Sequence, residues 1–143
     1  MRFMIGLVTL ILFTVLLQAN SFLEKEQKIA LQEKKLILLS VASKNCPYCI
    51  KMKQDIFMNK KYQKKISKNY LHVEIMNDDP RLFPYLHVMY LPTNYILSPR
   101  NLTIIDEFAG YTNPDHFIEL LDEVYLQEVK LFSKPLPLQK QIE

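Results

Sequence analysis

The sequence predicts an α/β domain: a central mixed four-stranded sheet flanked by helices and entered through an N-terminal helical lead-in. Three observations predict it. Segments with helical and strand periodicity follow one another in the order helix, β, α, β, α, β, β, α. Leu36-Ile37-Leu38-Leu39-Ser40-Val41 is a nearly continuous apolar run, the pattern of a strand covered on both faces. A Cys-Pro-Tyr-Cys run, Cys46 to Cys49, falls where that strand gives way to a helix. This is the sheet edge at which open α/β sheets gather their functional groups. The chain of 143 residues is long enough for one domain with a core, and its 49% hydrophobic and 23% charged residues are ordinary for a globular protein.

Taken in order, Arg2 precedes an apolar run from Phe3 to Leu17, which Gln18, Ala19 and Asn20 break. One positive charge, an apolar stretch of about fifteen residues and a small residue at its end read as an export signal over residues 1–19. The run is shorter than the roughly twenty residues of a usual membrane span. Leu17 is large for a position where a signal peptidase prefers a small residue, so an uncleaved anchor stands behind cleavage after Ala19 as the alternative. Residues 20–34 form the polar helical lead-in, residues 35–131 the domain proper, and residues 132–143, rich in Pro, a loose tail. Pro47 suits the first position of a helix with Cys46 as its cap. That helical segment continues toward Ser67 with a break near Asn59. Tyr70 to Met76 alternates as a second strand. Asn77, Asp78 and Asp79 offer caps for a short helix from Pro80 to about His87, limited by Pro84. Thr93–Leu97 and Leu102–Phe108 read as a hairpin around Ser98-Pro99-Arg100-Asn101. Pro114 opens an amphipathic helix with Phe117, Leu120, Leu121 and Val124 on one face.

Composition narrows the function. Two glycines are too few for a phosphate-cradling loop or a dinucleotide-binding turn. A formal charge of +3 with no recognition motif gives no reason to expect nucleic acid. His72, His87 and His116 lack ligand spacing and read as surface or packing residues, and the methionines read as core filler. The lysines from Lys51 to Lys68 read as a solvated helix face, with steering toward an acidic partner or anionic lipid as the sharper alternative. Asp55, nine positions beyond Cys46, reads as solvent-facing. The two cysteines of the chain are only three apart. A staple in an exported protein would close a longer loop, because a very short one stabilises little. The pair therefore points to redox work, with a static clip or half of a metal site as alternatives; a structural zinc wants four ligands.

Motif and element order together resemble the thioredoxin superfamily over roughly Lys35 to Val129. The resemblance is carried by Cys46-Pro47-Tyr48-Cys49 at the strand-to-helix junction and by Leu91-Pro92-Thr93 opening the third strand. The runs CPYCIKMKQDIF, LPTNYIL and FAGYTNPDHFIELL are similar to small exported thioredoxin-like proteins and to the C-terminal thioredoxin-like domain of the DsbD reductase. The resemblance implies a thiol–disulfide oxidoreductase needing no cofactor. It implies that the Leu91–Pro92 bond is cis and faces the cysteines, so that Pro47, Tyr48, Leu91, Pro92 and Thr93 meet the substrate. The alternative is a trans Pro92 that merely starts an edge strand. Three departures stand out. Gly110-Tyr111-Thr112 lacks the glycine pair with which glutaredoxins, the source of the Pro-Tyr dipeptide, hold glutathione. Asn45 occupies the place of the thioredoxin Trp, and Ser40 that of a buried acid that moves protons. A water or a more distant acid has to serve here instead.

The chemistry follows from position. A thiolate, not a thiol, attacks a disulfide. The unsatisfied N–H groups of a helix start favour a charged Cys46, with Lys44 and Lys51 as further help, so its pKa is expected below the ~8.5 of a free cysteine. Cys46 is the expected nucleophile and Cys49, one turn in, the resolving thiol. The expected partners are exported, periplasmic proteins with cysteines or disulfides, with a membrane electron donor as a further candidate; the chain is expected to act as a monomer. Reduction ranks ahead of oxidation because Leu91 is closer to the Ile that precedes the cis-proline in thioredoxin. Two other functions stay open: a glutaredoxin-like iron–sulfur or thiol-cofactor binding module, and a redox-inert scaffold.

Overall fold

The computed structural model describes residues 22–130. The expected export signal over 1–19 and the tail over 132–143 lie outside the described residues. The elements are α1 (Glu24–Glu33), β1 (Leu36–Ala42), α2 (Pro47–Met52), a π-helical turn (Lys53–Phe57), α3 (Lys60–Asn69), β2 (Tyr70–Met76), β3 (Thr93–Leu97), β4 (Ile104–Ala109) and α4 (Pro114–Glu128). The sheet runs in the order β2-β1-β3-β4. β1 and β2 are parallel because a helical crossover joins them, and β3 pairs antiparallel with both β1 and β4. This is the mixed, helix-flanked sheet of a thioredoxin-like fold.

β1 is central and buried along nearly its whole length, as its unbroken apolar run requires. Alternate side chains feed two cores. On one face Leu36, Leu38 and Ile96 pack with Met52, Ile56, Phe117 and Leu121 from the helical segment that follows the cysteines and from α4. On the other, Ile37, Leu39, Tyr95 and Leu97 pack with Leu23 and Ala30 of the lead-in helix and with Leu86. α4 starts where Asn113 accepts the amide hydrogen of Asp115 at 3.0 Å, and it buries Phe117, Ile118, Leu121 and Val124. Ile118 thus takes the place expected for Leu120.

Two segments differ from the sequence reading. Pro80–His87 is not helical. The Asp79 carboxylate binds the backbone of Arg81 at 2.9 Å, and Leu82 N–H closes a turn on the Asp79 carbonyl at 3.0 Å. Pro84, with no N–H to donate, then prevents that turn from propagating. The fourth strand begins at Ile104, not Leu102. Leu102 turns into the left-handed region at φ 59°, and Ser98 N–H reaches the Thr103 carbonyl at 2.9 Å, so the hairpin loop takes two residues from the expected strand. The break near Asn59 is present. Met58 N–H reaches back to Lys53 O at 2.7 Å, giving the wide π turn, and the Asn59 side chain caps α3 through Lys61 N at 3.0 Å.

Candidate active site

Cys46 caps α2 in extended conformation, and its sulfur accepts the Cys49 amide hydrogen at 3.1 Å. Pro47 fills the first helical position, where a missing N–H costs nothing. One turn brings Cys49 back over Cys46, and the two are joined in a disulfide with Cα atoms 5.2 Å apart. Burial divides the pair: Cys46 is half-buried, whereas Cys49 is only 6% exposed.

The second half of the site comes from β3. Its register sets Thr93 opposite Val41, so Pro92 lies beside the end of β1, from which the loop to Cys46 departs. The Leu91–Pro92 bond is cis. Thr93 Oγ1 donates to the Tyr90 carbonyl at 2.6 Å, and Gly110 N–H donates to the Pro92 carbonyl at 2.7 Å. Leu91 is half-buried, and Pro92 and Thr93 are buried. The Thr93 hydroxyl is therefore spent on shaping this loop. Large apolar side chains rim the site: Tyr48 between the cysteines is 62% exposed, and Tyr90 just before the cis bond is 66% exposed.

Beneath α2 lies a polar cluster that sequence reasoning missed. Ser40 Oγ donates to Asn94 Oδ1 at 2.7 Å and lies 2.9 Å from His72 Nε2. The single hydroxyl hydrogen goes to Asn94, so His72 donates from Nε2. Asn94 Nδ2 also reaches Met52 Sδ at 3.5 Å, which ties the cluster to the helix carrying the cysteines. Burial against Phe57, whose ring stacks on the imidazole at 4.1 Å, pushes the His72 pKa down to about 4. The strand alternation was the available signal: Tyr70, His72 and Glu74 had to share one face with Leu36, Leu38 and Ser40.

Cys49 opens onto a cleft of about 220 Å³ lined also by Lys44, Lys53 and Glu74. Glu74 pairs with Ser40 across the β1–β2 register and is the cleft's one carboxylate among the described residues; Lys53 holds it at 2.7 Å. Lys51 does not add its charge freely to the sulfurs. Its ammonium sits 2.7 Å from Asp55 Oδ2 and 5.0 Å from the centre of the Tyr111 ring. Tyr111 OH donates to the same Asp55 oxygen at 2.8 Å. These two donors hold the Asp55 carboxyl below its ordinary pKa, and Asp55 in turn raises Lys51 and Tyr111. Asp55 thus faces the loop after β4, with about a third of its side chain still open to solvent as expected. Among the described residues no group of three or more His, Cys, Asp or Glu side chains could hold a metal ion.

A bonded cysteine pair at a helix start, after the strand that pairs with one opened by a cis-proline, is the pattern of thioredoxin-like sites. The family model described as thioredoxin-like domain matches residues 23–125, and the chain belongs to that family. A search of curated proteins returns no match. Among solved structures, the periplasmic thioredoxin SoxS from Paracoccus pantotrophus is similar at 21% identity and TM-score 0.54, over 65% of this chain and 98% of that one. A thioredoxin from Thermus thermophilus is similar at 16% identity and TM-score 0.57, over 75% of this chain and 85% of that one. The C-terminal domain of Neisseria meningitidis DsbD, in its oxidised form, is similar at 15% identity and TM-score 0.55, over 71% of this chain and 91% of that one. At such identities the likeness establishes the fold.

Proposed function

We propose that this protein is a thiol–disulfide oxidoreductase that reduces disulfides of exported proteins. One observation carries the reading: a half-buried and a buried cysteine, bonded to each other at the start of α2, follow the end of β1 that pairs with the strand opened by a cis Leu91–Pro92 bond. In the reduced protein the Cys46 thiolate attacks one sulfur of a substrate disulfide. A Cys46–substrate bond forms, and the first substrate sulfur leaves as a thiolate. Cys49 then loses its proton and attacks Cys46 Sγ, closing the Cys46–Cys49 bond and expelling the second substrate thiolate. Two electrons pass to the substrate, and an external dithiol or membrane donor returns them. Glu74, across the cleft from Cys49, takes the proton in place of the acid that β1 lacks. Tyr48 and Leu91 supply the contact surface for the substrate, with Pro47 and Pro92 fixing its backbone and Thr93 holding the loop. The apolar run after Arg2 supports an exported, periplasmic location, either free after cleavage or held by the run itself.

The test is a Cys49→Ser variant expressed in the native compartment, together with reduction of insulin by the unaltered protein. Exported proteins linked through Cys46, and insulin reduction driven by dithiothreitol, are the expected results. Absence of both, with the thiols shown to be accessible, overturns the reading.

A further inference from the structure

The two halves of the site come from distant parts of the chain, and one short loop touches both. Gly110, the first residue after β4, adopts φ 85°, a conformation suited to glycine, and donates its N–H to the Pro92 carbonyl at 2.7 Å. The next residue, Tyr111, crosses to the other half and donates its hydroxyl to Asp55 at 2.8 Å. Asp55 belongs to the π turn that continues α2, and it also grips Lys51, two residues past Cys49. The Lys51 ammonium in turn lies over the Tyr111 ring at 5.0 Å. A continuous path therefore runs from the carbonyl of the cis-proline, through Gly110 and Tyr111, to Asp55 and Lys51 on the helix of the cysteines. Further back, the halves are joined by the Asn94–Met52 contact and the core around it, and by the β1–β3 pairing, which ends at Val41 and Thr93. Beyond that pair, the loop holding Cys46 and the loop holding Leu91 both leave the sheet.

We propose that Tyr111 is a positioning residue that sets the distance between Cys46 and the Leu91–Pro92 backbone, so that a protein substrate can engage both at once. The inference rests on the oxidoreductase reading above. A small disulfide needs only the sulfur of Cys46 and is indifferent to this distance. An extended protein segment must reach the sulfur and the cis-proline backbone together, and misplacement of one half by even about 1 Å is costly. Tyr111→Phe removes one oxygen, keeps the ring beneath Lys51, and breaks the path at a single bond.

The experiment compares steady-state reduction of insulin with that of hydroxyethyl disulfide, using dithiothreitol as reductant. For Tyr111→Phe the KM for insulin is expected to rise about fivefold, the size of one charge-assisted hydrogen bond at a half-exposed site, with kcat changed far less. The rate on hydroxyethyl disulfide is expected to fall by much less than the specificity for insulin. Asp55→Ala removes the acceptor and should act in the same direction, and the double variant should be no worse than the worse single one, since both remove the same bond. Deuterium exchange at the Gly110 amide, read by NMR in the same variants, should quicken. Equal loss on the two disulfides, additive single effects, or an unaltered Gly110 amide with unaltered KM overturns the proposal. If the unaltered protein reduces neither disulfide, the oxidoreductase reading fails, and Gly110 exchange alone then decides whether Tyr111 holds the two loops together.

Discussion

Ser40 cannot act as a base near neutral pH, whereas a carboxylate one strand away can. The β1–β2 register sets Glu74 beside Ser40, and the cleft of Cys49 opens toward it. Glu74→Gln keeps the shape and removes the base. Release of the second substrate thiolate is expected to slow about tenfold at pH 7, while the first attack by Cys46 is little changed. Rapid acid quenching and mass spectrometry of the mixed disulfide separate the two steps. Unchanged decay of that intermediate would hand the proton to solvent. The cysteines were legible in the sequence because their spacing is itself the signal, and the cis Pro92 through the family resemblance that Leu91-Pro92-Thr93 helps to carry. Glu74 and His72 were not, because their roles depend on which residues of β1 they face, and only the register fixes that.

At the scale of elements, β1 was legible because a strand covered on both faces needs an apolar run, and few other structures do. The segment 80–87 was not, because its caps and its proline pull in opposite directions. Asp79 can start a helix, but it can equally close a turn onto Arg81, and Pro84 removes the donor that would extend the first choice. The end of α1 carries a cost that the sequence hides. Lys34 closes the helix at φ 55° and ψ 45°, a left-handed conformation that costs a residue with a Cβ about 1–2 kcal/mol. The backbone there is already committed: Lys35 N–H bonds to Ala30 O at 2.8 Å, and Tyr125 OH bonds to the Lys34 carbonyl at 3.0 Å. Lys34→Gly keeps both bonds and relieves the strain. Stability to urea is expected to rise by about 1 kcal/mol, less whatever the glycine adds to the freedom of the unfolded chain. A loss of stability would show that the Lys34 side chain supplies more than the turn costs.

Across the whole molecule, the Ser40–His72–Asn94 cluster joins β1, β2 and β3 under the helix of the cysteines, and so makes the fold sensitive to acid. In the folded protein His72 takes up a proton only near pH 4, against 6.5 for its ordinary value. Between those values the unfolded chain binds a proton that the folded chain refuses, so stability is complete above about pH 6.5 and falls as the pH drops toward 4. Below 4 this group takes nothing more. Over the full window the loss is at most about 3 kcal/mol, and between pH 6.5 and 5.5 it is about 1 kcal/mol. The carboxyls of Asp55 and Asp115 titrate below their ordinary 3.8, and Arg81 holds Asp79 near 2, so all three keep their charge in that upper interval. His72→Gln retains a donor for Ser40 and removes the titration. The oxidised variant should therefore show a flatter dependence of Tm on pH between 6.5 and 5.5 than the unaltered protein does. Parallel curves would mean that the imidazole is already solvated in the folded state, and that the cluster beneath the active-site helix is open to water.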